Sequence, residues 1–193
     1  MMMHIDVTVF LYKENGPLPL RQERLRECAH RYSRWRGLTA GDFTLAVAPG
    51  GKPYFPRCPQ VHFSISHSAG YWAAAFSGRP LGLDIQRHVE RDYLALAKRW
   101  YHPLEYTAVE QFGPKCFFDI WSAKESLVKC NGTGFPASFP SFSVVEKGAI
   151  APESVGWQLK PLNMLAGYSA CVCGKELGQV FYCQSLRQPY YLA

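Results

Sequence analysis

Apolar and polar positions alternate or cycle clearly enough along this chain to divide it into elements. Ile5 to Leu11 is β-branched and aromatic with partial alternation, which predicts a strand. After a Gly16-Pro17 break, Leu25, Cys28, Ala29, Tyr32 and Trp35 recur at helical spacing within Leu20 to Arg36, and Arg24, Arg31 and Arg34 fall on one flank of that stripe. Phe43 to Val47 predicts a short strand, and Pro49-Gly50-Gly51-Lys52-Pro53 a tight turn that presents a lysine on a stiff loop. Val61 to Ser66, Tyr71 to Ser77 and Leu81 to Gln86 follow as three strand-like runs, joined by Ser66-His67-Ser68-Ala69-Gly70 and by Gly78-Arg79-Pro80, and predict an antiparallel meander. Helical patterns run over 91–101, 103–111 and 115–129, the last ended by Asn131-Gly132-Thr133-Gly134. Phe142 to Tyr182 reads as further strands around Gly148, Gly156 and Gly174, and Gln188 to Ala193 as a loosely tethered tail. The composite is an α+β protein.

Composition narrows the class. At 193 residues, 48% hydrophobic and 19% charged, the chain can bury a core, so a disordered tail is excluded. The longest uncharged apolar stretch, Tyr71 to Phe76, is far short of the roughly 20 residues of a membrane helix. Met1 to Asp6 has no basic region and Val7 to Tyr12 is too short for a secretory core, so a cytoplasmic protein without membrane contact is expected. Seven cysteines, an odd number without CxxC spacing or a histidine cluster, read as reduced core thiols. The balance of 21 Lys+Arg against 15 Asp+Glu, +6, suits an anionic ligand or an acidic partner surface. Most of the first helix's arginines read as a solvated face, with Arg26 and Arg31 kept as candidates for phosphate contact.

Two acids stand out from this background. Trp121, Glu125 and Lys129 share one face of the long predicted helix at i, i+4 spacing. Taken alone, that is an ordinary amphipathic helix with a surface Glu-Lys pair. In Leu81-Gly82-Leu83-Asp84-Ile85-Gln86, however, a lone carboxylate sits among apolar residues, and a buried aspartate needs a partner. If Asp84 faces Glu125, the two carboxylates share a proton or hold a cation, and an all-oxygen donor set favours magnesium or manganese. Magnesium takes one or two protein carboxylates and completes its shell with waters and substrate phosphates, so a phosphorylated substrate is implied. A basic nucleic-acid-binding module built on the arginine helix is the rival from another class, but it leaves both acids unexplained, since bare carboxylates repel phosphate. No nucleic-acid partner is therefore expected. Ser64, Ser66 and Ser68 flank His67, yet without a G-x-S-x-G elbow they do not make a hydrolase.

Gly51-Lys52-Pro53, Phe63-Ser64-Ile65-Ser66-His67-Ser68, Gly82-Leu83-Asp84-Ile85 and Trp121-Ser122-Ala123-Lys124-Glu125-Ser126 with Lys129 together resemble, in order, the signatures of 4′-phosphopantetheinyl transferases of the single-chain, two-lobe Sfp type. The resemblance runs from about Pro49 to Val145 and implies two pseudo-equivalent lobes, each a small antiparallel sheet packed with helices. An N-terminal lobe over 1–82 would carry the adenosine and 3′-phosphate contacts, and a C-terminal lobe over 83–193 the metal and pyrophosphate site, with coenzyme A in the cleft between them. It further implies a monomer that transfers the phosphopantetheine arm to a serine of an apo acyl-, peptidyl- or aryl-carrier protein with an acidic helix, releasing adenosine 3′,5′-bisphosphate. Asp84 and Glu125 would hold Mg2+, or Mn2+, and Lys129 would neutralise the pyrophosphate. Glu125, directly or through a bound water, would accept the serine proton. Lys52 and His67 would grip the adenosine end, with Gly51, Pro53 and Ser66 beside them. The family often has a second acid two residues after the strand aspartate; this chain has Gln86, which would act on the metal through water. A magnesium-dependent phosphodiesterase acting on holo-carrier protein would use similar acids.

Overall fold

The structure, a computed structural model, describes residues 5–13, 18–39, 41–132 and 139–183. The Gly16-Pro17 break, Thr133-Gly134 and the tail over 188–193 lie outside the described residues. The elements in chain order are β1 (Ile5–Lys13), α1 (Leu18–Trp35), β2 (Ala46–Val47), β3 (Pro53–Tyr54), β4 (His62–Ser68), β5 (Tyr71–Ser77), β6 (Leu81–Arg87), α2 (Tyr93–Trp100), α3 (Pro103–Phe112) and α4 (Pro114–Asn131). After a short 3-10 turn come β7 (Val145–Glu146), β8 (Ala149–Ile150), β9 (Glu153–Ser154), β10 (Trp157–Pro161), β11 (Tyr168–Gly174) and β12 (Leu177–Cys183).

Strand alternation stacks the elements in four layers. Val7, Val9 and Leu11 of β1 and Ala73 and Ala75 of β5 point one way, against Leu81, Leu83 and Ile85 of β6 and Ala170 and Val172 of β11, and close an apolar seam between two sheets. Phe10, Trp72, Ala74 and Phe76 point the other way, onto Leu25, Cys28, Ala29 and Tyr32 of α1. In the second sheet Cys171 and Cys173 turn outward into the core under α2 to α4, with Phe117, Phe118, Ile120 and Leu127. The first sheet runs β12-β1-β5-β4 and the second β6-β11-β10-β9. All seven cysteines are free, and only Cys116 is partly exposed. No described helix is long and apolar enough to cross a membrane.

Two features depart from the simple sequence pattern. β4 and β5 do form a hairpin, closed by Ala69 and Gly70 with φ of 39° and 86°, the left-handed pair that a two-residue turn requires. The third strand of the expected meander does not join them, however. β6 leaves for the second sheet, where it pairs with β11 in antiparallel register, Asp84 opposite Cys171. The reason is its two-sided burial: Leu81, Leu83 and Ile85 need the inter-sheet seam while Gly82 and Asp84 need α4. The other departure is β12, from the segment assigned to the second lobe, which returns to run parallel to β1 in the first sheet, Val7 opposite Val180.

Candidate active site

Close approach of α4 to β6 builds the site. A Cβ on Gly82 would lie 1.8 Å from the Ser126 carbonyl oxygen and 2.6 Å from the Cys130 nitrogen, so only glycine lets the strand lie directly on the helix backbone. Two residues on, and so on the same strand face, Asp84 reaches the side of α4 that carries Glu125 and Lys129. The helix ends one turn later on Gly132, whose φ of 68° is the left-handed cap position.

The strand acid is held from one side only. Lys129 Nζ donates to Asp84 Oδ1 at 2.6 Å and Ser66 Oγ donates to the same oxygen at 2.8 Å. Asp84 Oδ2 is buried and has no hydrogen-bond partner among the described residues. Burial pushes the Asp84 pKa up against the opposing pull of Lys129 and Ser66. Glu125 accepts no hydrogen bond from any described residue. Its pKa is raised by burial first and by the charge of Asp84 second, with Lys129 opposing. An orphaned buried oxygen and an unbonded carboxylate that feel each other's charge are donors short of a cation, and these two residues fit a hard divalent ion. Gln86 lies on the same face of β6 at partial exposure, where an amide reaches a water more readily than an ion.

Two cavities meet at this point. One, of about 300 Å³, is lined by Gly51, Lys52, Pro53, Glu125, Val128 and Lys129. Its neighbour, of about 460 Å³, is lined by Arg21, Leu25, His67, Trp72, Ser66 and Lys129. The larger cavity therefore joins the exposed His67 imidazole to a cationic wall. Arg21, on the first turns of α1, was not among the sequence candidates, although it stands four residues before Leu25 on the flank of the apolar stripe. Arg26 is exposed and lines neither cavity. Arg31 is turned onto the first sheet, its guanidinium 5.3 Å from the Phe10 ring and 5.0 Å from the Trp35 ring, and it donates to Tyr12 Oη at 3.3 Å.

Lys52 has two partners of its own. Its ammonium donates to the Leu81 carbonyl at 2.8 Å and to the Lys129 carbonyl at 2.7 Å, tying the 49–53 turn to the start of β6 and the last turn of α4. The Lys129 carbonyl is one of those a helix leaves unpaired at its C-terminus, where a cation is favoured. Burial lowers the Lys52 pKa. Trp121, on the same helix face as Glu125, packs on Phe117 and Phe139 and serves the core.

Sequence reasoning also missed the seam on which Asp84 rests. Ser64, Ser66 and Ser68 of β4 accept hydrogen bonds from the backbone N–H groups of Leu83, Ile85 and Arg87 at 2.9, 3.2 and 3.0 Å. Alternate serines on an edge strand thus supply the acceptors that a neighbouring strand would otherwise offer to the open edge of β6. The i, i+2, i+4 serine spacing was visible; that its partner was another sheet was not.

Comparison with known proteins gives a consistent picture. Residues 80–173, the stretch that contains Asp84, Glu125 and Lys129, match the 4′-phosphopantetheinyl transferase superfamily. A 4′-phosphopantetheinyl transferase of Bacillus subtilis is 36% identical over 139 residues, 70% of this chain and 61% of the relative. The 4′-phosphopantetheinyl transferase Sfp of Bacillus subtilis (strain 168) is 32% identical over 151 residues, 73% of this chain and 67% of the relative. The gsp transferase of Aneurinibacillus migulanus is 34% identical over 96 residues, 48% of this chain and 39% of the relative. The chain thus spans about three fifths to two thirds of the first two relatives.

Proposed function

The chain belongs to the 4′-phosphopantetheinyl transferase superfamily, and we propose on that footing that it transfers the 4′-phosphopantetheine arm of coenzyme A to a serine hydroxyl of an apo carrier protein. The observation that carries this reading is the buried Asp84 Oδ2, unpartnered among the described residues, in a carboxylate whose charge Glu125 feels and whose other oxygen is bound by Lys129. Asp84 and Glu125 would hold Mg2+ or Mn2+, which when bound neutralises the pyrophosphate of coenzyme A. Lys129, at the junction of the two cavities, adds a second positive charge against the same linkage. The larger cavity, with His67 and Arg21 in its wall, suits the adenosine end and its 3′-phosphate.

Glu125, directly or through a bound water, accepts the proton of the carrier serine, whose oxygen attacks the phosphorus bearing the pantetheine arm. That phosphorus exchanges its bond to the adenosine phosphate for the new bond to serine, and adenosine 3′,5′-bisphosphate leaves. The +6 balance of the chain steers an acidic carrier helix toward it.

The test is the intact mass of purified apo-carriers after incubation with coenzyme A and magnesium. A phosphopantetheine mass gain is expected with the wild-type chain and is expected to vanish in Asp84→Ala and Glu125→Ala. Full turnover in either variant sinks the assignment of these acids, and no gain on any carrier type sinks the transferase reading.

A further inference from the structure

Two thiols meet where α4 crosses the second sheet. Cys173 is the β11 residue paired with Gly82, and residues so paired lie about 4.5–5.5 Å apart. The Cys130 nitrogen lies 2.6 Å from the point that a Cβ on Gly82 would occupy, so both cysteines stand over one position of β6. The Cys173 thiol donates a hydrogen bond to the Cys130 sulfur. With the charges of Lys52 and Lys175, and against burial, that bond holds the Cys130 thiol below its usual range. The same bond, with burial, pushes Cys173 up. Burial instead raises Cys28 and Cys171 to about 12 and Cys116 and Cys183 to about 11. Cys130 is 5% exposed, yet it lines a cavity of about 420 Å³ at the 49–53 turn, with Lys52, His62, Pro80 and Gly132. Cys173 is fully buried. A small oxidant therefore has a route to one sulfur, in cationic surroundings that favour its thiolate, and the other is in contact with it.

We propose that Cys130 and Cys173 are a redox modification site, which hydrogen peroxide joins in a disulfide that fixes the last turn of α4 to β11 and lowers phosphopantetheine transfer. The Cys130 thiolate attacks a peroxide oxygen, the O–O bond breaks, and sulfenic acid and hydroxide form. The Cys173 sulfur then attacks the Cys130 sulfur, the S–O bond breaks, and the oxygen leaves as water with the Cys173 proton. Two thiols lose their hydrogens and one peroxide becomes two waters; an added dithiol reverses the bond. Closing the pair draws two sulfurs from contact to about 2.05 Å. Strand and helix already touch at Gly82, so the adjustment falls on the last turn of α4. That turn carries Lys129, which bonds Asp84 through its ammonium and Lys52 through its carbonyl. The loss of transfer rests on the transferase reading above, whereas the bond is read by mass without it.

The experiment treats wild type, Cys130→Ser, Cys173→Ser and Cys116→Ser with hydrogen peroxide, blocks the remaining thiols and maps peptides without reduction. Carrier modification is measured before peroxide, after it, and after dithiothreitol. Wild type and Cys116→Ser are expected to yield the linked 130–173 peptides, lighter by two hydrogens. Their transfer is expected to fall by up to about 100-fold, as a displaced site group can cause, and to return with dithiothreitol. Cys130→Ser forms no link and keeps its transfer through the treatment. Cys173→Ser stops at the sulfenic acid, which dimedone captures on Cys130. No 130–173 link in wild type makes the pair ordinary core thiols and overturns the proposal. A link that leaves transfer unchanged, or an equal reversible loss in Cys130→Ser, overturns it as a control on the site. Should Cys173→Ser fail to fold by circular dichroism, Cys173→Ala decides on the same readouts. A wild type that modifies no carrier before oxidation removes the transferase reading and the loss of transfer with it, while the peptide map still decides the bond.

Discussion

Helix α4 carries two lysines five residues apart, each paired with a buried acid from another element, and the two pairs are finished to different degrees. Lys124 and Glu105 are 0% exposed on both sides and bond at 2.9 Å. Lys124 uses its other two protons on the Phe139 and Phe142 carbonyls at 2.7 and 2.6 Å. Glu105 accepts in addition from the Val144 N–H at 2.8 Å and the His102 N–H at 3.0 Å, the latter closing the capping box of α3. Lys129 and Asp84 bond at 2.6 Å, but the lysine is 30% exposed and one carboxylate oxygen has no partner among the described residues. The same two chemical groups make a scaffold when every valence is met and a site when one is left open. Glu125 stands next to Lys124 in sequence, so the sealed pair fixes the helix on which the open pair works.

The sharpest way to break this contrast is to remove one lysine of each kind. Lys124→Met leaves Glu105 buried without a counter-charge, an arrangement that costs about 3–5 kcal/mol. The urea midpoint is expected to fall steeply or the fold to be lost, and Lys124→Met combined with Glu105→Leu should recover much of that loss, because an apolar pair no longer strands a charge. Lys129→Met also takes the counter-charge from a buried acid, but the lysine head is partly in solvent and Ser66 still donates to Asp84, so a smaller fall in the midpoint than for Lys124→Met is expected, together with loss of carrier modification. A Lys124→Met protein as stable as wild type would show that the sealed pair is not the scaffold described here.

Legibility follows the same division. That Asp84 would meet the α4 face of Glu125 and Lys129 could be expected from sequence because a lone acid in an apolar strand and an i, i+4 helix face are local patterns. The helices over 18–35, 93–100, 103–112 and 114–131 were close to their expected bounds for the same reason, each having an apolar stripe and most a clear stop. What was not legible depends on contacts between distant segments. Glu105 and Lys124 are each unremarkable in sequence, and nothing local says that a loop over 139–144 will bring three backbone groups to seal them. The serines at 64, 66 and 68 declared an alternating face but not that it would meet the edge of β6, and the return of β12 to lie parallel to β1 has no local signal at all.

Lys52 tests the contrast at intermediate size, since it ties β6 to α4 and also lines the smaller cavity. Lys52→Met strands the Leu81 and Lys129 carbonyls, each a cost of about 1–3 kcal/mol when buried and unmet. A lower urea midpoint is expected, together with a lower kcat because the last turn of α4, which carries Lys129, loses its tie. A rise in KM for coenzyme A alone, at unchanged stability, would instead place Lys52 with the substrate contacts.

The smallest expected effect concerns His62 at the start of β4, whose pKa is lowered first by burial and then by the charge of Lys52. Its folded pKa lies below the unfolded value of about 6.5, so below that pH the unfolded chain binds more protons than the folded one. The stability linked to neutral His62 is therefore present above about pH 6.5 and is lost as the pH falls through the folded pKa. Urea midpoints measured from pH 8 to pH 5.5 should decline, and His62→Gln should flatten that decline by the share His62 contributes. Combining His62→Gln with Lys52→Met then sharpens the comparison. If Lys52 sets the His62 shift through its charge, the two substitutions flatten the pH profile by less than the sum of their separate effects, whereas independent behaviour would leave burial as the sole cause and detach the 49–53 turn from the chemistry of β4.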